Sequence, residues 1–98
     1  MLQYKGGNGS SKEKAIIIHG VYTEWEGVDA EYDFLESKYG NYELVSQEFV
    51  GEVNNKYDVL TIKLSDGSSK EVWFDVSDFY GREWYVKIYL YISYPSGF

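Results

Sequence analysis

Apolar and polar positions along the chain change their period more than once. Ala15-Ile16-Ile17-Ile18 is an unbroken, largely β-branched run, the pattern of a central strand buried on both faces, and His19-Gly20 ends it. From Trp25 the period is helical. Trp25, Val28, Tyr32, Leu35 and Tyr39 recur at steps of three, four, three and four, which makes one apolar stripe. Thr23-Glu24-Trp25-Glu26 has the spacing of a capping box, which predicts a helix starting at Glu24. Gly40 stands where a left-handed C-cap belongs.

Beyond Gly40 the period becomes two. Asn41 to Val53 predicts a strand of mixed alternation with a bulge near Gly51, and Asn54-Asn55 turns it into a second strand over Tyr57–Ser65, where Leu60, Ile62 and Leu64 share a face. Asp66-Gly67 predicts a tight type I′ hairpin into Lys70–Ser77, with Val72, Phe74 and Val76 opposite Glu71, Trp73 and Asp75. Gly81 closes the next turn. A last strand over Trp84–Tyr94 alternates Val86, Ile88, Leu90 and Ile92 with Tyr85, Lys87, Tyr89 and Tyr91.

The predicted fold is therefore α+β, in the order β-α-β-β-β-β, with one helix packed on a mainly antiparallel sheet of four to five strands. Residues 1–14 read as a Gly/Ser-rich N-terminal arm, 15–94 as a single domain and 95–98 as a C-terminal tail. The chain has 98 residues, enough for a core without disulfides or metal, and it has no cysteine. No apolar run approaches the ~20 residues that span a bilayer, and no signal-peptide pattern opens the sequence, so a cytoplasmic protein with no membrane contact is expected.

Charge narrows the function classes. The net charge is −7, and residues 20–53 hold nine acids (Glu24, Glu26, Asp29, Glu31, Asp33, Glu36, Glu43, Glu48, Glu52) against Lys38 alone. Such a block repels nucleic acid and anionic lipid and speeds encounter with a basic protein partner, which makes Glu24, Glu26, Glu31 and Asp33 candidate contact residues. The plain alternative is a solvated helix face that is acidic only for solubility.

The loop Gly6-Gly7-Asn8-Gly9-Ser10-Ser11 invites comparison with phosphate cradles. It precedes a strand instead of opening a helix, it lacks the third glycine of a dinucleotide fingerprint, and Gly9 is followed by Ser10-Ser11-Lys12 where a Walker loop needs Gly-Lys-Ser/Thr. A turn that leads the chain into its first strand is the expected role. An anion nest formed by Gly7, Gly9, Ser10, Ser11 and Lys12 is the alternative, in a nucleotide- or anion-binding protein.

Catalytic patterns are weak. His19 is the sole histidine, so any imidazole base or triad must run through it, and a histidine at a strand end is more often structural. Asp29-x-Glu31-x-Asp33 imitates the start of a calcium loop, but Phe34 stands where that loop needs glycine. No enzyme activity, cofactor or metal is expected.

Nineteen of the 98 residues are aromatic, eleven of them tyrosine. One helix covers one face of a sheet, so strand alternation places Trp73, Tyr85, Tyr89 and Tyr91 on the uncovered face. Such rings would be met by a protein partner, by a second copy of the chain in a homodimer, or by the N-terminal arm.

Gln47-Glu48-Phe49-Val50-Gly51, with the double glycine near the N-terminus and the β-α-β-β-β-β order, resembles the cystatins. That resemblance implies a Gln-x-Val-x-Gly hairpin and an N-terminal glycine forming one wedge for cysteine-protease clefts. Phe49 replaces the valine, and the Pro-Trp of the second hairpin is missing. Taken together, the residues point to a small acidic, non-enzymatic binding domain that docks on a protein partner and blocks or scaffolds it, in the manner of immunity proteins and phage inhibitors of host defence. A cystatin-like inhibitor is the sharper alternative.

Overall fold

The computed structural model describes residues 1–81. The predicted strand Trp84–Tyr94, and with it Tyr85, Tyr89 and Tyr91, lies outside the described residues. Within them the elements are β1 (Gln3–Gly6), β2 (Ile16–His19), α1 (Glu24–Tyr39), β3 (Tyr42–Gly51), β4 (Lys56–Leu64) and β5 (Ser69–Asp75). The architecture is α+β, one helix on a mainly antiparallel five-stranded sheet of order β1-β2-β5-β4-β3. The exception is β2, which runs parallel to β5, with Ile16 aligned to Phe74.

The arm is part of the sheet. Gln3–Gly6 pairs antiparallel with β2, Tyr4 opposite Ile18. Periodicity misses so short a strand, but one side chain explains its docking. The Tyr4 hydroxyl donates to the Ala30 carbonyl of α1 at 2.7 Å, and its ring meets Phe34 at 5.2 Å. Burial, and after it the Asp33 charge, hold the Tyr4 phenol above its ordinary pKa.

The core lies between α1 and one face of the sheet. Ile16, Ile18, Leu60, Ile62, Val72, Phe74 and Val76 meet Ala30 and Leu35 there, and Phe79 closes one end. β2 is buried on one face only, because α1 lies on that side; Ile17 points the other way, aligned with Lys5 and Asp75, and is partly exposed. On the face away from the helix, Tyr57 and Val59 are nevertheless buried, with Tyr57 edge-on to Trp73 at 5.7 Å.

Helix α1 begins at Glu24 with the complete capping box, but its buried stripe is turned by about one residue from the predicted one. Gly27, Ala30, Glu31 and Leu35 are buried, whereas Trp25 is 70% exposed. Small residues set this rotation. A Cβ at position 27 would overlap the Phe79 ring, so Gly27 lets the helix and that ring approach closely.

Two turn expectations also change. The bulge of β3 sits between Leu44 and Ser46 and not near Gly51. The β4–β5 hairpin has a longer loop than type I′: Gly67 N–H donates to Leu64 C=O at 2.9 Å, Leu64 N–H to Ser68 C=O at 2.8 Å, and only Gly67 has positive φ. Asp66 instead accepts from the Ser68 hydroxyl and amide, which holds its carboxyl below the usual range and closes the loop without a left-handed aspartate.

Candidate functional site

The N-terminal end of α1 carries the most distinctive surface. Thr23 Oγ1 accepts from Glu26 N–H at 3.1 Å, while the Glu26 carboxylate accepts from the amides of Tyr22 and Thr23 at 3.0 and 3.1 Å. This double cap fixes the chain entering the helix. It leaves Tyr22 and Trp25 75% and 70% exposed at the first turn. Beside them runs a groove of about 350 Å³ whose walls include Leu2, Tyr22, Glu26, Asp29 and Asp33. Asp29 and Asp33 are both exposed and lie four residues apart, one turn above the other on the same side of the helix.

The four acids proposed from sequence as contacts therefore divide. Asp33 lies on the groove. Glu26 also lines it but is engaged in the cap, and Glu24 accepts from Gly81 N–H at 2.9 Å. Glu31 is not a surface residue. It is fully buried between α1 and β4, because the helix turns its Gly27-Ala30-Glu31 side to the sheet.

As a carboxylate, Glu31 would have no donor for either oxygen. As a neutral acid it would have a proton to donate to Asp58. Burial, then hydrogen bonding to Asp58, then the Asp58 charge push its pKa up to about 10. The nearby Tyr32 hydroxyl donates to Gln47 Oε1 at 3.2 Å, and burial followed by the charges of Glu31 and Asp58 raises its phenol. The raised pKa favours a proton on Glu31 inside the helix–sheet interface, which would make the two carboxyl groups compatible.

Trp73 is half-buried. Its Nε1 donates to Glu71 at 3.0 Å and its ring packs edge-on against Tyr57, while the other three rings of the predicted face lie outside the described residues. Among the described residues the most exposed rings are Tyr22 and Trp25, and of these periodicity had placed Trp25 on the apolar stripe of the helix.

The glycine loop forms the β1–β2 connection. Gly7 N–H donates to Ala15 C=O, Gly9 N–H to Lys14 C=O and Ser10 N–H to Asn8 Oδ1, and Gly9 C=O accepts from Trp73 N–H. The Lys12 ammonium pairs with Glu52 at 2.8 Å, which raises its pKa. An anion nest needs these donors to be unspent, so the loop's amides at Gly7, Gly9 and Ser10 supply none. A wider groove of about 520 Å³ adjoins the loop, lined by Asn8, Gly9, Ser10, Lys38, Lys70 and Glu71 among others; Ser11 and Lys12 lie outside it.

His19 Nδ1 stands 3.5 Å from Asp78 Oδ2 at the surface. Among the described residues no group of three His, Cys, Asp or Glu side chains could hold a metal ion, and no helix is long and apolar enough to cross a membrane. Gln47–Gly51 lies inside β3, fully paired with Leu60–Lys56, and the hairpin tip follows it, where Glu52 N–H bonds Asn55 C=O. Gly6 and Gly7 sit at the other end of the strand order, in and after β1. The two halves of a cystatin wedge are thus carried on opposite edge strands of the described sheet.

Compared with family models, curated proteins and solved structures, the chain matches none of them.

Proposed function

We propose that the chain is a small acidic binding domain that docks on a basic protein partner through the N-terminal face of α1, blocking or scaffolding that partner. The observation that carries this reading is the exposure of Tyr22 and Trp25 on a rigidly capped turn beside the Asp29 and Asp33 carboxylates. Tryptophan and tyrosine offer large contact area at small entropic cost, and they dominate the energetics of many interfaces. A lysine or arginine from the partner would lay its aliphatic stem on Leu2 and Tyr22 and bring its charge to the two aspartates. A net charge of −7 opposes a second copy of the same acidic face and favours a basic surface.

The test is recovery of a partner with wild-type protein as bait, repeated with Trp25→Ala/Asp33→Lys. The expected result is a basic protein held by the wild type and lost from the double variant, with both baits equally folded. Retention of the same protein by the double variant would move the contact surface away from α1.

A further inference from the structure

Among the described residues β3 is the last strand of the sheet, ten residues long, with exposed side chains on both of its faces. Edge strands are usually blunted by lysine, proline or short length, and Tyr42–Gly51 has neither residue. Its irregularity is the bulge at Val45, and from Ser46 to Gly51 the register with β4 is unbroken.

The bulge sets the charge pattern of this edge. Glu43 and Glu48 are five apart in sequence, a spacing that in a regular strand puts two side chains on opposite faces. With the extra residue at Val45 they align with Lys63 and Val59 of β4, which are four apart and share one face. Both glutamates therefore stand on the sheet face away from α1. Lys63 lies opposite Glu43, whereas Glu48 has only Val59 there. On the other face, Leu44 and Phe49 are aligned with Ile62 and Asp58 and remain partly exposed.

We propose that the outer edge of β3 takes an added antiparallel strand from a basic partner segment, whose residues follow the order apolar-basic-x-x-apolar-basic. This is the spacing β4 itself presents to the inner edge, from Asp58 opposite Phe49 to Lys63 opposite Glu43. The two basic residues lie beside Glu48 and Glu43, and the two apolar ones beside Phe49 and Leu44. Backbone hydrogen bonds supply the affinity and the alternate side chains supply the choice of sequence. A second copy of β3 is a poor occupant, since antiparallel self-pairing sets an acidic strand against its own glutamates on a chain of charge −7. The inference shares with the α1 reading only the sign of the partner's charge.

The probe is the peptide acetyl-Thr-Thr-Leu-Lys-Thr-Gln-Val-Lys-Thr-Thr-amide with the full chain, followed by amide exchange of Tyr42–Gly51 and by titration. Exchange across β3 is expected to slow on peptide addition. Affinity should fall about tenfold when both peptide lysines become glutamate, and similarly in Glu43→Lys/Glu48→Lys protein. Both glutamates are exposed, so an unchanged denaturation midpoint in that variant shows the fold intact. Trp25→Ala should leave peptide binding unchanged, which separates this site from the one on α1. Three results would each overturn the proposal: no slowing at millimolar peptide, equal binding of the lysine and glutamate peptides, or β3 amides in the peptide-free protein as slow as those of β4. The last would show the edge already taken by the chain itself or by a second copy.

Discussion

Glu31 of α1 is wholly buried at the helix–sheet interface, and burial first, then Asp58 of β4, favours its neutral acid form. Because its folded-state pKa is raised to about 10 from 4.5, folding binds a proton. The stability this group contributes is complete below the unfolded value and is lost as pH climbs towards the folded one. Glu31→Gln keeps a donor for Asp58 without the proton. We expect the variant to equal the wild type near pH 4 and to exceed it at pH 7 by on the order of 3 kcal/mol, at about 1.36 kcal/mol per pH unit above the unfolded value. Urea denaturation across pH 4–9 reads this directly; parallel curves for the two proteins would show that Glu31 is ionised when folded.

Charge reversal separates the two kinds of acid on α1. Glu31→Lys puts an ammonium into the core and should cost several kcal/mol or prevent folding, since an uncompensated buried charge is among the most destabilising changes. Asp33→Lys, on the exposed side, should shift stability by about 0.5 kcal/mol or less. Thermal midpoints of the two variants decide whether the helix faces the sheet through Glu31 or through the predicted stripe.

Gly27→Ala tests the same orientation from the packing side. The added methyl overlaps the ring of Phe79. The gain in helix propensity, roughly 1 kcal/mol, should be outweighed by overpacking of about 1–3 kcal/mol. A net stabilisation would mean that Phe79 lies elsewhere.

Much of the fold was legible in the sequence because local rules and tertiary burial agreed. The capping box at Thr23, the strand containing Leu60 and Ile62, and the strand of Val72 and Phe74 all fall where spacing put them, and Val76 just beyond that strand is buried as expected. The helix stripe failed for a physical reason. Large side chains dominate a periodicity count, yet the closest approach of helix to sheet is made by small ones, so Gly27 and Ala30 mark the buried face and Trp25 does not. Glu31 was then read as surface because carboxylates are rarely buried; its inward position follows from its place beside Ala30 and four residues before Leu35. The strand Gln3–Gly6 stayed hidden, since a four-residue segment held by one tyrosine has no period to detect. Asp33 was the one sequence-derived contact found on the groove with its carboxylate outside the helix cap, and the exposure of Tyr22 on that groove and of Trp25 at the same helix end had no sequence signal apart from the capping box.

That cap links stability to recognition. Thr23→Ala removes the acceptor for Glu26 N–H and should cost about 1 kcal/mol. It also frees the turn that holds Tyr22 and Trp25 outward, so partner dissociation should quicken even under conditions where the variant is fully folded. Equal dissociation rates for Thr23→Ala and wild type would show that the turn does not position the contact.

The most direct measurement is the association rate of the recovered partner with wild type and with Asp29→Asn/Asp33→Asn, followed from low to moderate ionic strength. If the groove beside Trp25 receives a basic surface, the wild-type rate should fall steeply with salt, and the double variant should associate more slowly with a visibly flatter salt dependence. Identical rates and slopes for the two proteins would contradict docking on this face of α1.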